Sequence, residues 1–198
     1  MINYSKYIVV LILVLIIGGF GVVACSKSID TDIEEDGGIV DYTNKNAPKT
    51  IKSENIVQFT LIVEDDAVEN HFIRDRCVME VAPAPGGFKM SLSSGKYTES
   101  DQEYFSKSKI IHRKDLKELQ KIVKEQNLAS INGHNQWNSA LGNYLNLHIV
   151  YDSGETITAH GEGGCSVVPY NFNAKSFVDF FCNKLKIKQQ DEESDEEL

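Results

Sequence analysis

His148, His160 and Cys165 are the residues of this chain best equipped for chemistry: two imidazoles and a thiol within a short stretch. The pattern around them sets their geometry. Leu145, Leu147 and Ile149 alternate with Asn146, His148 and Val150, Asp152-Ser153-Gly154 turns the chain, and residues 155–160 return, as in a hairpin. Setting Tyr151 against Glu155 brings Leu147 to Ala159 and Ile149 to Ile157, so one face is apolar; a slip of one residue would bury polar groups. His148 and His160 then project from the other face on a diagonal, where neighbours lie ~7–8 Å apart. Two imidazoles so placed can bind Zn²⁺ if a third ligand, Glu162 or Cys165, joins them. The same positions suit two solvated histidines on the polar side of a two-faced sheet. Cys165 near the histidines is also the raw material of a Cys–His nucleophile pair. A reactive thiol needs a helix N-terminus or adjacent positive charge, and the next helical pattern starts only at Asn173. The run Gly161-Glu162-Gly163-Gly164 does not open a helix either, which excludes a phosphate cradle.

A second candidate is a polar loop expected over residues 132–144. It is dense in Asn and Gly and carries the only tryptophan, Trp137, among Asn135, Gln136, Asn138 and Tyr144. An aromatic ring beside several amides is the equipment of a sugar site, the ring covering the apolar sugar face while the amides satisfy hydroxyls. Loops on a rigid scaffold are where binding concentrates. The structural alternative is that a single Trp in a small domain plugs its own loop into the core. Carboxylate chemistry is not indicated. Asp152 and Glu155 flank a tight turn instead of a cleft, and Glu64-Asp65-Asp66 lacks the spacing of a calcium loop.

The scaffold expected to position these groups is α+β: an antiparallel β-sheet of about 5–6 strands with two helices packed on one face. Val57, Phe59, Leu61 and Val63 alternate over residues 56–63. A second strand is expected over 72–81, ended by Pro83-Ala84-Pro85-Gly86-Gly87, and a third over 88–92, with room for one more after Gly95. Between Arg113 and Gln126, Leu116, Leu119, Ile122 and Val123 recur at helical spacing. Acids lead that helix and lysines trail it, as its dipole favours, and Asn127 is the expected left-handed stop. Asn173 caps a second helix whose stripe is Phe177, Val178, Phe181 and Leu185, with Cys182 on its apolar side.

The N-terminus supplies an address. Lys6 precedes an apolar run from Ile8 to Ala24 that has Gly18, Gly19 and Gly21 near its end and closes in Val22-Val23-Ala24-Cys25. These four residues resemble the lipobox of bacterial lipoproteins: an aliphatic residue, a small or aliphatic one, Gly/Ala/Ser, then Cys. The resemblance covers residues 1–25 alone. It implies export, cleavage before Cys25, and lipid on that thiol holding the protein to the outer face of the cytoplasmic membrane. Two acyl chains anchor stably where one does not. The Asn-rich, Lys-rich composition and Ser26 are compatible with a Gram-positive type of envelope. With Cys25 set aside, Cys77, Cys165 and Cys182 allow one disulfide and a free thiol, or three reduced thiols.

The formal net charge of -9 sits in the flanks. Residues 26–47 hold Asp30, Asp32, Glu34, Glu35, Asp36 and Asp41 against Lys27 and Lys45, and residues 189–198 are acidic with no base. Residues 48–188 balance acids and bases, so no basic stripe invites nucleic acid. The expected organisation is a signal peptide over 1–24, a lipidated acidic tether over 25–47, one α+β domain over 48–188, and a disordered acidic tail over 189–198. Such a domain is too small for the two-lobed binding proteins that serve transporters. The expected protein is a non-catalytic, lipid-anchored envelope lipoprotein. It meets the membrane through Cys25, needs no cofactor, and binds or braces a cell-surface protein or glycan. The alternative is a small envelope enzyme or metal-binding protein using His148, His160 and Cys165.

Overall fold

A computed structural model describes residues 38–64, 76–97, 102–139, 143–163, 168–170 and 172–187. Cys25, the expected signal peptide, the acidic tail and Cys165 lie outside them. Eight strands form one sheet: β1 (Ile39–Asp41), β2 (Ile56–Glu64), β3 (Arg76–Ala84), β4 (Gly87–Tyr97), β5 (Gln102–Ile111), β6 (His134–Asn138), β7 (Tyr144–Tyr151) and β8 (Thr156–Glu162). Their spatial order is β1-β6-β8-β7-β2-β3-β4-β5. Among the described residues two helices, α1 (Arg113–Glu125) and α2 (Ala174–Leu185), accompany the sheet, with a short 3-10 turn at Leu128–Ile131.

Period-two burial decides which face the helices cover. Phe59, Leu61 and Val63 of β2, Met79 and Val81 of β3, and Leu145, Leu147 and Ile149 of β7 are buried, while their neighbours along each strand are not. Leu116, Leu119 and Val123 of α1 and Phe177, Phe181 and Leu185 of α2 close over them. The Phe59 ring lies 5.4 Å from that of Phe177 and 5.9 Å from that of Phe181. Truncating it to alanine would cost about 3–5 kcal/mol.

The helix ends follow local chemistry. The His112 N–H donates to the Asp115 carboxylate at 3.1 Å, Asn127 adopts φ 50° after α1, and the Asn173 side chain accepts from the Ser176 N–H at 3.4 Å. Lys184 of α2 bridges to Asp115 at 2.9 Å and Glu118 at 2.7 Å on α1. Burial pushes the Asp115 carboxyl up, but the Lys184 ammonium and the His112 N–H outweigh it and hold the group below its ordinary value.

The fold is α+β with its helices on one face, but the sheet differs from expectation in two respects. It has eight strands instead of 5–6, and it is mixed, because β6 runs parallel to β8 while every other pair is antiparallel. The strand β6 comes from the segment expected as a polar loop, and β1 from within the expected tether. The β3 strand also continues through Pro83, past the expected stop. Val81 is the last β3 residue paired with β2, so at Pro83 no ladder is demanded on that side. Cys77 and Cys182 are buried free thiols, and burial, with Cys182 nearby, pushes Cys77 up to about 12.

Residues 42–55 form a strap from β1 to β2. The Tyr42 and Asn44 N–H groups donate to the Asn135 and Gly133 carbonyls at 2.8 Å each. Asn132, 4% exposed, donates from Nδ2 to the Pro48 and Thr156 carbonyls and accepts at Oδ1 from the Thr158 N–H. Further along, the Glu155 carboxylate accepts from the Lys52 and Ser53 N–H groups at 3.0 Å each, and Asp152 accepts from Ser53 Oγ and Asn55 Nδ2. Gly133 makes the close approach possible: at φ +82°, a Cβ there would sit 2.6 Å from the Asn44 carbonyl oxygen.

Candidate functional site

Among the described residues, no helix covers the opposite face of the sheet, and its chemistry is set by the strand registers. Val40 faces Trp137, Trp137 faces Glu162, Glu162 faces Tyr144, and Tyr144 faces Glu64. Arg76 follows across β3, then Gly95 and Tyr104. One row therefore crosses all eight strands, with side chains on seven of them because Gly95 carries none, and with Trp137 toward one end and Tyr104 at the other. At ~4.8 Å per strand step, those two rings are separated by roughly 29 Å. The adjoining row holds Asn135, His160, Asn146, Ile62 and Val78, and the next holds Thr158, His148, Thr60 and Glu80.

The centre of the first row is interlocked. The Arg76 guanidinium lies 4.5 Å from the centre of the Tyr144 ring and its Nε is 3.4 Å from Glu64 Oε2. The His160 ring meets Tyr144 edge-on, 5.6 Å between centres, and His160 Nε2 stands 3.8 Å from Glu162 Oε2. Tyr144 thus has a cation on its face and an imidazole standing perpendicular to it, which fixes its plane. At the ends of the row, Trp137 is 41% and Tyr104 68% exposed. Rings at both ends and fixed charges between them can stack against a flat ligand and hydrogen-bond it at once.

Several expected site residues meet here and others do not. Trp137, Asn135, Tyr144, His148 and His160, expected as two separate candidates, share the open face because β6 lies beside β8. Gln136 and Asn138 alternate to the other side, where Gln136 hydrogen-bonds Asp41. The plug reading of Trp137 is overturned by its exposure. His148 pairs with Thr158 and His160 with Asn146, the expected diagonal. Among the described residues, however, no three His, Cys, Asp or Glu side chains converge on a metal position. The expected turn carboxylates Asp152 and Glu155 reach beyond their turn to hold the strap. Sequence reasoning missed Arg76 and Tyr104, and it weighed Glu64 only as part of a calcium loop. Glu64 enters the row because β2 lies beside β7, Arg76 because β3 lies beside β2, and Tyr104 because β4 and β5 follow β3 across the sheet.

No protein-family model, no curated protein and no solved structure matches this chain.

Proposed function

We propose that this protein is a lipid-anchored, non-catalytic binding module of the bacterial envelope, whose ligand face is the open side of the sheet and whose ligand is a surface glycan. The observation that carries this reading is the row Trp137, Glu162, Tyr144, Glu64, Arg76 and Tyr104. Its exposed rings offer stacking surfaces for sugar faces, and its carboxylates and guanidinium offer hydroxyl partners. The rigid sheet holds them at fixed spacing, so little side-chain entropy is lost on binding. The lipobox resemblance at Cys25 supports the location, with export and an N-terminal lipid on the outer face of the membrane.

Trp137 is the only tryptophan, so its emission reports on this face alone. Titrating the full chain with cell-wall glycan fragments should shift that emission. Arg76→Ala and Tyr144→Ala should each weaken binding about ten-fold or more, the loss expected at a central contact. Emission that stays flat with every fragment, together with crosslinks from Trp137-face positions to an envelope protein, would replace the glycan by a protein partner. Location is tested separately: Cys25→Ala should release the protein from membranes and abolish lipid labelling.

A further inference from the structure

Gln120 takes no part in the open face. It lies on the apolar stripe of α1, 6% exposed, and its Oε1 has no hydrogen-bond partner among the described residues. Its amide engages the hydroxyl of Tyr151, itself 2% exposed. Buried polar atoms are nearly always paired, and each exception calls for a cause.

That amide borders a cavity of about 230 Å³ on the helix-covered side of the sheet. Buried Val123, Leu128, Tyr151 and Ile157 form its floor, and Ile51 of the strap forms a wall. The strap is pinned on either side of this wall, at Pro48 by Asn132 and at Lys52 and Ser53 by Glu155. The wall is therefore held in place without collapsing into the space. Lys49 and Lys124 also line the cavity, but Lys49 Nζ donates to the Asn132 carbonyl and Lys124 pairs with Glu54. An anionic ligand would have to compete with both of those partners.

We infer that this cavity is a binding site for a small neutral molecule with an apolar body and one hydroxyl or N–H donor, directed at Gln120 Oε1. The size fits, since an apolar cavity of about 150 Å³ already admits benzene. The lining supplies apolar contact, and the orphan oxygen supplies the single directional demand. A site built around one hydrogen bond rejects an analogue that lacks the donor far more strongly than it rejects a change in bulk.

Indole and 1-methylindole share a shape and differ by that donor. Calorimetric titration of the full chain should show indole binding about ten-fold more tightly than 1-methylindole. In the double variant Gln120→Met with Tyr151→Phe, which replaces both partners by apolar groups of similar size, the two probes should bind alike. The folded state of that variant is checked by its thermal midpoint. Absence of binding by either probe would make the cavity a solvent-filled feature of the fold. An indole preference that survives in the double variant would place the donor's partner elsewhere. Either result overturns the assignment.

Discussion

Two buried amides border the strap, and they are treated in opposite ways. Asn132 is saturated: Nδ2 reaches the Pro48 and Thr156 carbonyls at 2.9 and 3.1 Å, and Oδ1 takes the Thr158 N–H at 2.8 Å. Gln120 engages Tyr151 and leaves Oε1 with nothing among the described residues. Both side chains are almost equally hidden, at 4% and 6% exposure. Burial alone therefore does not distinguish a structural amide from one kept ready for a ligand. The distinction lies in how many orphans removing the group leaves behind. Removing Asn132 would strand two carbonyls and an N–H, whereas removing Gln120 would strand the Tyr151 hydroxyl alone and eliminate an orphan that already exists.

The sharpest way to break this contrast is substitution at Asn132. Asn132→Ala should cost about 3 kcal/mol, because each buried group left unpaired carries a penalty of that order or somewhat less; urea denaturation measures it. A loss below about 1 kcal/mol would show that water replaces the amide, and the contrast would fail. Gly133→Ala, next in size, should cost about 2 kcal/mol. Its Cβ would meet the Asn44 oxygen and the Ala47 Cβ at 2.6 Å, in a backbone conformation that disfavours a side chain. A thermal midpoint that stays unchanged would mean that the strap yields freely at this point.

The Gln120→Met, Tyr151→Phe pair should leave stability within about 1 kcal/mol of the parent, on either side, since both partners of one hydrogen bond are removed together. A cost comparable to that of Asn132→Ala would make Gln120 structural. Acid probes the other anchor of the strap. The Ser53 hydroxyl and the Asn55 amide hold Asp152 below its ordinary 3.8, and the Lys52 N–H, Ser153 and the Ser53 N–H hold Glu155 below its ordinary 4.5. Folded-state values lowered in this way give stability that is fully present above the ordinary values and is lost as pH falls through the folded ones. The urea midpoint should therefore fall as pH drops from about 5 to about 2, and Glu155→Gln should flatten part of that slope. The smallest effect belongs to the open face: Trp137→Ala should change stability by no more than about 0.5 kcal/mol, as for exposed positions generally.

Local patterns made much of the fold legible. The α1 stripe and its Asn127 stop, the Asn173 cap, and the Leu147–Ala159 register all follow from short-range rules. The β6 strand was not legible, because His134-Asn135-Gln136-Trp137-Asn138 shows no apolar alternation and few strand-forming residues. Its place comes from a parallel pairing with β8 and from the strap, both of them non-local. This one omission also split the open face into two separate candidates, a loop with Trp137 and a hairpin with two histidines. Gln120 did leave a trace in the sequence, as an amide standing at helical spacing with Leu116, Leu119 and Val123. A polar residue on an apolar stripe signals either a buried partner or a site.

The position of β2 near the middle of the sheet bears on the order in which the molecule can assemble. Its ladder with β7 joins Leu61 to Leu147 and Phe59 to Ile149, so the middle of the sheet joins segments 86 to 90 residues apart in the sequence. Closing so large a loop is entropically costly before any contact repays it, and topologies of this kind fold in milliseconds to seconds. The ribbon from β2 to β5 can pair locally, yet it lacks β7 on one side until residues 144–151 arrive. A chain that emerges N-terminus first therefore remains unfinished through most of its length and completes its sheet only as its last strands appear.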